Sequence, residues 1–175
     1  MKKTANNELN RLSNEAFKAV EKNKVVVVLD NIRSHHNVGS VFRTADAFLV
    51  EAIYLCGYTP LPPHRDIQKT ALGATDTVEW KYFSTTLQAV QHAKTLGYQV
   101  AAIEQATPKT ELQDFKPASK VALIFGSEVG GVDDAVLAAA DVCVEVPQFG
   151  TKHSLNISVC AGVVLWDLFT KMNLK

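Results

Sequence analysis

Three polar, glycine-bearing stretches of this 175-residue sequence hold residue types that bind and orient ligands. The first runs from Asp30 to Asp46 and carries Arg33, His35, His36, Asn37, Gly39 and Arg43. Asn37 is placed to cap a helix that starts there, and Gly39 permits close approach of another backbone. Arg43 lies just under two helical turns beyond Asn37, so the pair is expected to face one cleft. The second stretch, Phe125-Gly126-Ser127-Glu128-Val129-Gly130-Gly131-Val132, sets glycines around a single carboxylate. That composition suits a backbone cradle in which Glu128 accepts hydrogen bonds from helix-terminal N–H groups or a ligand. In the third, Val146 to Ser158, Pro147 and Gly150 force irregular backbone; Ser154 is then placed to cap a helix whose first turn carries Asn156 and Ser158. A structural reading also fits these residue types: a capped helix with a surface arginine, and a glycine-rich turn.

Several chemistries lack their residues. The glycine loop has no GxxxxGK[ST] lysine and does not match GxGxxG, which argues against nucleotide phosphates and dinucleotides. His153 and Ser154 are adjacent and no GxSxG surrounds them, so a hydrolase pair is not expected. His35 and His36 have no further His or Cys at ligand spacing, and no metal is expected.

The elements that must position these stretches follow from hydrophobic pattern. Val25 to Leu29 is β-branched and unalternating, as in a strand covered on both faces. Similar runs at Ala52–Cys56, Tyr98–Ile103, Val121–Phe125 and Val142–Val146 predict further strands. Helices are predicted over Val38–Phe48, Thr86–Leu96, Asp133–Ala140 and about Leu155–Met172, with an amphipathic helix from Asn7 to Lys22 ahead of them. Alternating strands and helices predict an α/β fold with a mostly parallel sheet and helices on both faces. Ligands of such sheets bind beyond the carboxyl ends of the strands, where all three stretches fall. We divide the chain into a helical arm, 1–23, and one domain, 24–175.

Composition sets the class. With 47% hydrophobic and 21% charged residues the chain reads as a globular protein, with no membrane span and no apolar leader, hence expected in the cytoplasm. Cys56, Cys143 and Cys160 lie in apolar surroundings without CxxC spacing and read as reduced core residues. The net charge of zero hides an asymmetry: residues 1–75 hold ten basic and seven acidic side chains, residues 76–175 eight and eleven. The basic bias permits a nucleic-acid patch including Arg33, His36, Arg65 and Lys69, which Arg11 and Lys18 could extend.

Taken in order, the three stretches resemble the motifs of the SpoU (TrmH-like) branch of the SPOUT RNA methyltransferases. NxGxxxR appears as Asn37 to Arg43, FGxExxG as Phe125 to Gly131, and the P..G...SLN.S pattern as Pro147, Gly150, Ser154-Leu155-Asn156 and Ser158. The resemblance covers roughly residues 24 to 172. Val129-Gly130 replaces commoner polar pairs of the second motif, and His153 precedes the SLN run.

That resemblance implies a C-terminal deep trefoil knot, a homodimer, and S-adenosylmethionine as donor of a methyl group to a ribose 2′-hydroxyl of tRNA or rRNA. It implies a cofactor pocket at Ile103, Glu104, Phe125, Gly126, Gly131, Val146, Pro147, Gly150, Ser154 and Leu155. It also implies Asn37, Arg43, Glu128, Ser154 and Asn156 around the transfer site, with no metal. Ile103–Thr107 and Val144–Gly150 look closer to enzymes that methylate a D-loop guanosine of tRNA than to ribosomal ones. The alternatives are an rRNA methyltransferase and a catalytically silent RNA-binding protein of the same fold.

Overall fold

The computed structural model describes residues 1–5, 8–9 and 11–173. Its centre is β1 (Asn23–Asp30), in which Val26 to Leu29 are at most 1% exposed. Burial of both faces explains why this run does not alternate. Val25, Val27 and Leu29 belong to one core layer, shared with α2 (His35–Ala47), α3 (Arg65–Ala71) and α6 (Ile157–Asn173). Val26 and Val28 belong to the opposite layer, shared with α4 (Thr86–Thr95) and α5 (Asp134–Ala139). Helices therefore cover both faces, as expected.

The remaining strands are β2 (Val50–Cys56), β3 (Glu79–Phe83), β4 (Gln99–Ile103), β5 (Thr110–Glu111), β6 (Val121–Phe125) and β7 (Val142–Glu145). All seven run parallel in the order β3-β2-β1-β6-β4-β7-β5. The chain winds outward from β1 to β3, then crosses back to build the other half, with β6 inserted between β1 and β4. The reversal at β1 and β6 opens a crevice beyond their carboxyl ends, the place where ligands of such sheets bind. Among the described residues no helix is long and apolar enough to cross a membrane.

Three expectations need correction. The amphipathic helix expected over Asn7–Lys22 contracts to α1 (Asn14–Ala19), capped by the Ser13 hydroxyl; Asn7 and Asn10 lie outside the described residues. Only Phe17 of α1 is buried, while Leu9, Leu12 and Val20 are exposed, so most of the expected apolar face has no core to join. Asn37 does not cap α2: Ser34 does, its hydroxyl accepting from the Asn37 N–H at 3.2 Å. Ser154 likewise does not cap α6. Asn156 does, its carbonyl accepting from Cys160 and its side chain from the Ser158 N–H at 2.9 Å. Beyond these corrections, the strands β3 and β5 and the helix α3 were not expected from the sequence.

Candidate functional site

The first stretch is fixed at the end of β1. Asp30 is 2% exposed and accepts hydrogen bonds from the Thr86 hydroxyl, the Asn31 amide and the Asp133 N–H, tying the β1 terminus to the starts of α4 and α5. Asn31 takes a left-handed φ of 55° and turns the chain toward α2. With Ser34 serving as the cap, the Asn37 side chain is free to work across the crevice.

It does so on both sides. The Asn37 amide nitrogen donates to Glu128 Oε1 at 2.9 Å, and its carbonyl oxygen accepts from the Asn156 amide at 3.2 Å. Asn156 Oδ1 in turn accepts from the Ser158 N–H and hydroxyl. The Arg33 N–H donates to the other Glu128 oxygen at 3.3 Å. One polar chain thus joins all three stretches, from Arg33 through Glu128, Asn37 and Asn156 to Ser158. Partial burial works to raise the Glu128 pKa, but backbone N–H groups, including those of Arg33 and Ser34, and the Asn37 amide outweigh it and hold the carboxyl below its ordinary range. Glu128 is therefore ionised near neutrality, an acceptor of hydrogen bonds and a weak base.

Beside this chain lies a cleft of about 460 Å³ between the ends of β4, β6 and β7 and the start of α6. Ile103, Phe125, Leu155 and Ile157 supply apolar wall, with Glu104, Gly126, Gly131, Val146 and Ser154 among the remaining lining. The glycine loop is a tight closed turn: Ser127 and Gly131 exchange N–H···O bonds of 3.0 Å, and Gly131 takes a φ of 66°. A Cβ at Gly126 would lie 2.0 Å from the Gly131 carbonyl carbon, so only glycine lets the turn close. Glu104 braces this turn from β4, its carboxylate accepting from the Val132 N–H at 3.0 Å and the Gln105 N–H at 2.7 Å. Pro147 and Gly150 shape the third stretch without lining the cleft.

A larger cleft of about 1180 Å³ lies at the opposite end of the sheet, between Glu21–Lys24, Gln113–Ser119 and the end of α6. Lys22, Lys24 and Lys171 there are engaged by backbone carbonyls or carboxylates of their own neighbourhood. It holds none of the motif residues, and the smaller cleft is where the chemistry-bearing groups meet.

The structure brings together Asn37, Glu128 and Asn156, with Ser154 on the cleft wall, but not Arg43. Six residues at ~100° each put Arg43 about 120° around α2 from Asn37, on the stripe of His36 and Ser40. Its side chain is exposed and makes no hydrogen bond or ion pair among the described residues. Gly39 permits the close backbone approach expected of it, here to α3: a Cβ there would lie 2.3 Å from the Ile67 carbonyl oxygen. Arg33, His36, Arg65 and Lys69 are all exposed, on the α2 approach and on α3, whose Thr70 hydroxyl bonds the His36 carbonyl. Arg11 and Lys18 belong to the segment leading to the amino end of β1, away from the cleft. Gln105 went unnoticed in the sequence. Its amide donates to the His153 carbonyl at 2.6 Å and pins the third stretch across the cleft, a contact that residue type alone does not signal. Among the described residues no three His, Cys, Asp or Glu side chains gather as a metal site would require.

This all-parallel α/β domain thus carries, at the carboxyl ends of its strands, a cleft lined by Glu104, Glu128 and Glu145 beside a chain of hydrogen-bonded amides. Residues 24–166 match the SpoU rRNA Methylase family, and the chain belongs to that family. It is 30% identical over 145 residues to the 23S rRNA (guanosine-2′-O-)-methyltransferase RlmB of Nitrosomonas europaea, covering 83% of this chain and 55% of that protein. The crystal structure of the A. aeolicus TrmH/SpoU tRNA modifying enzyme superposes with a TM-score of 0.77 at 24% identity, over 90% of this chain and 79% of that one. An AdoMet-bound rRNA methyltransferase from Sinorhizobium meliloti superposes with a TM-score of 0.80 at 23% identity, over 91% and 61%. These structural likenesses establish the fold. The chain spans between 55% and 62% of the length of the first curated relatives it matches.

Proposed function

We propose that this protein transfers a methyl group from S-adenosylmethionine to a ribose 2′-hydroxyl of RNA, acting as a cytoplasmic homodimer. The observation that carries this reading is the polar chain through Glu128, Asn37 and Asn156 beside a small cleft of mixed polar and apolar lining, in a domain of the SpoU family. The cleft volume lies within the range for ligands of cofactor size. Its mixture of aliphatic wall, one aromatic ring and exposed loop backbone fits an adenosyl group with a zwitterionic tail. Ile103, Phe125 and Leu155 would hold the apolar parts, and backbone groups at Gly126, Gly131 and Val146, with Glu104 and Ser154, the polar ones; Pro147 and Gly150, expected in the pocket, instead shape the loop that carries Ser154 to it. Bound there, S-adenosylmethionine supplies a methyl carbon activated by its positive sulfonium.

The protein's part is alignment. A hydroxyl oxygen must stand behind the methyl carbon, and positioning can supply much of the acceleration. Asn37 and Asn156 have their amides fixed by each other and by Glu128 and Ser158, so they are rigid at the moment of reaction. The Ser154 hydroxyl has no partner among the described residues and is free to meet the ribose. Arg43 carries a planar guanidinium, a fixed fork of N–H donors suited to phosphate and anionic oxygen. Its role is to orient the RNA phosphate and offset charge growing on the attacking oxygen, while the proton leaves to water or an RNA phosphate.

Homodimerisation accounts for the exposure of Arg43. Val159, Val163 and Trp166 form an exposed apolar stripe on α6, which packs beside α2, whereas Val164 and Leu168 lie in the protomer's own core. In this reading α2 and α6 form the pairing face, and Arg43 of α2 completes a site shared by two chains. Membership of the SpoU family supports the trefoil knot.

For the RNA, the likeness of Ile103–Thr107 and Val144–Gly150 to tRNA guanosine methyltransferases puts tRNA first, with a D-loop guanosine as target. The identity with RlmB supports rRNA as the second reading. Isothermal calorimetry tests the cofactor: S-adenosylmethionine and its demethylated product should both bind. Absence of heat with both, and binding of NAD or ATP instead, would overturn the assignment.

A further inference from the structure

Tyr58 stands out among the residues the site does not use. It follows β2 at the carboxyl edge of the sheet and is 58% exposed. The backbone that carries it is braced on both sides. The Tyr58 N–H donates to Asn31 Oδ1 at 3.2 Å, and a Cβ at the preceding Gly57 would lie 2.0 Å from that same oxygen. The following Thr59 is buried, its hydroxyl donating to the Leu29 carbonyl and accepting from the Ile32 N–H. Both neighbours thus lock the loop to the turn that leads into the catalytic stretch. The Arg33 guanidinium carbon lies 6.0 Å from the centre of the Tyr58 ring, and the Arg33 N–H holds Glu128. An exposed aromatic ring on a fixed loop, a guanidinium and the Glu128–Asn37 pair therefore lie side by side. His35 and His64, with ring centres 3.9 Å apart, extend this group toward Arg65 and Lys69.

We propose that Tyr58 and Arg33 form a stacking subsite for an unpaired nucleobase next to the ribose that is methylated. This rests on the RNA-directed function proposed above and adds where a neighbouring base is held. Proteins recognise single-stranded RNA by stacking splayed bases on aromatic rings and arginine planes, and a ring carried on a fixed loop loses little backbone entropy in doing so. The subsite also favours a loop over a duplex, because a paired base has no free face to offer.

The test is RNA binding by fluorescence anisotropy, using an unmodified tRNA transcript, a short single-stranded RNA and a fully paired RNA duplex. Tyr58→Ala should weaken binding of the tRNA and the single strand by about 5- to 150-fold, the worth of one stacked base. Duplex affinity, S-adenosylmethionine affinity and sedimentation coefficient should be unchanged, and Tyr58→Phe should restore tRNA binding to within about twofold of wild type on the same stacking argument. Because Tyr58→Ala removes no charge, the slope of affinity against salt should match wild type, whereas Arg33→Ala should flatten it. Equal tRNA affinity of wild type and Tyr58→Ala would overturn the subsite and leave the methyltransferase reading standing. A change in sedimentation would overturn it in favour of a protein contact. A wild type that binds none of the three RNAs would overturn the subsite and the RNA-directed function together.

Discussion

At the scale of single residues, Arg43 is the group on which the proposed chemistry leans most. Removing its charge deletes stabilisation made only as the oxygen becomes anionic. Arg43→Ala is expected to keep S-adenosylmethionine affinity while lowering methyl transfer by about 10²- to 10³-fold, and Arg43→Lys to recover part of the loss. Single-turnover rates beside calorimetry check this, and a normal rate in Arg43→Ala would remove Arg43 from the mechanism. Glu128 gives a pH test. Its carboxyl has a folded pKa below the unfolded value near 4.5, so its stabilising effect is fully present above that pH and is lost as pH falls through the lower folded value. Melting curves of wild type and Glu128→Gln should differ near neutrality and converge as pH drops well below 4.5; a constant difference would contradict the hydrogen-bonded carboxylate. The sequence put Asn37, Glu128 and Asn156 together through their motifs but could not choose among caps. Ser34 and Asn37 are both good N-cap residues three apart, and only the bend at Asn31 decides between them. For Arg43 the spacing argument failed on arithmetic, since a full return to one helix face takes seven residues and the separation is six.

Among the elements, those that form the core were legible because burial dictates residue type. β1, β2, β4, β6 and β7 are built mainly of Val, Ile, Leu, Ala and other apolar residues, and each appears where expected. The edge strand β3 escaped because Glu79, Lys81 and Tyr82 face solvent and break the apolar signal; β5 is only two residues long. The short helix α3 buries only Ile67 and Ala71, too few to show a period. The contraction of α1 has the opposite cause, a visible period with no core to receive it beyond Phe17. The α2–α3 contact makes its own prediction. Gly39→Ala would put a Cβ 2.1 Å from Thr70 Oγ1 and 2.3 Å from the Ile67 carbonyl, and backbone must move to admit it. A destabilisation of about 1–3 kcal/mol is expected, near 2–4 °C of Tm per kcal/mol for a chain of this size. Calorimetric melting should show the drop with S-adenosylmethionine binding retained, because Gly39 faces α3 and not the cleft; an unchanged Tm would contradict the close crossing.

At the scale of the whole molecule, the exposed stripe of Val159, Val163 and Trp166 is out of place on a monomer. Trp166 is 54% exposed even though it packs beside Phe48 and Phe169. A homodimer through this face should dissociate in Val163→Glu, read as a fall from dimeric to monomeric mass by sedimentation, with methyl transfer lost in parallel. A wild type that sediments as a monomer at micromolar concentration would contradict the pairing. The central claim, transfer of a methyl group to an RNA ribose, is tested most directly by supplying the protein with isotope-labelled S-adenosylmethionine and total RNA from a strain lacking its gene. The tRNA and rRNA fractions are then separated and digested to nucleosides for mass spectrometry. The expected result is a labelled 2′-O-methylnucleoside, concentrated in the tRNA fraction as Gm. Label appearing only on nucleobases, or no label in any RNA from a protein that binds S-adenosylmethionine, would contradict the account.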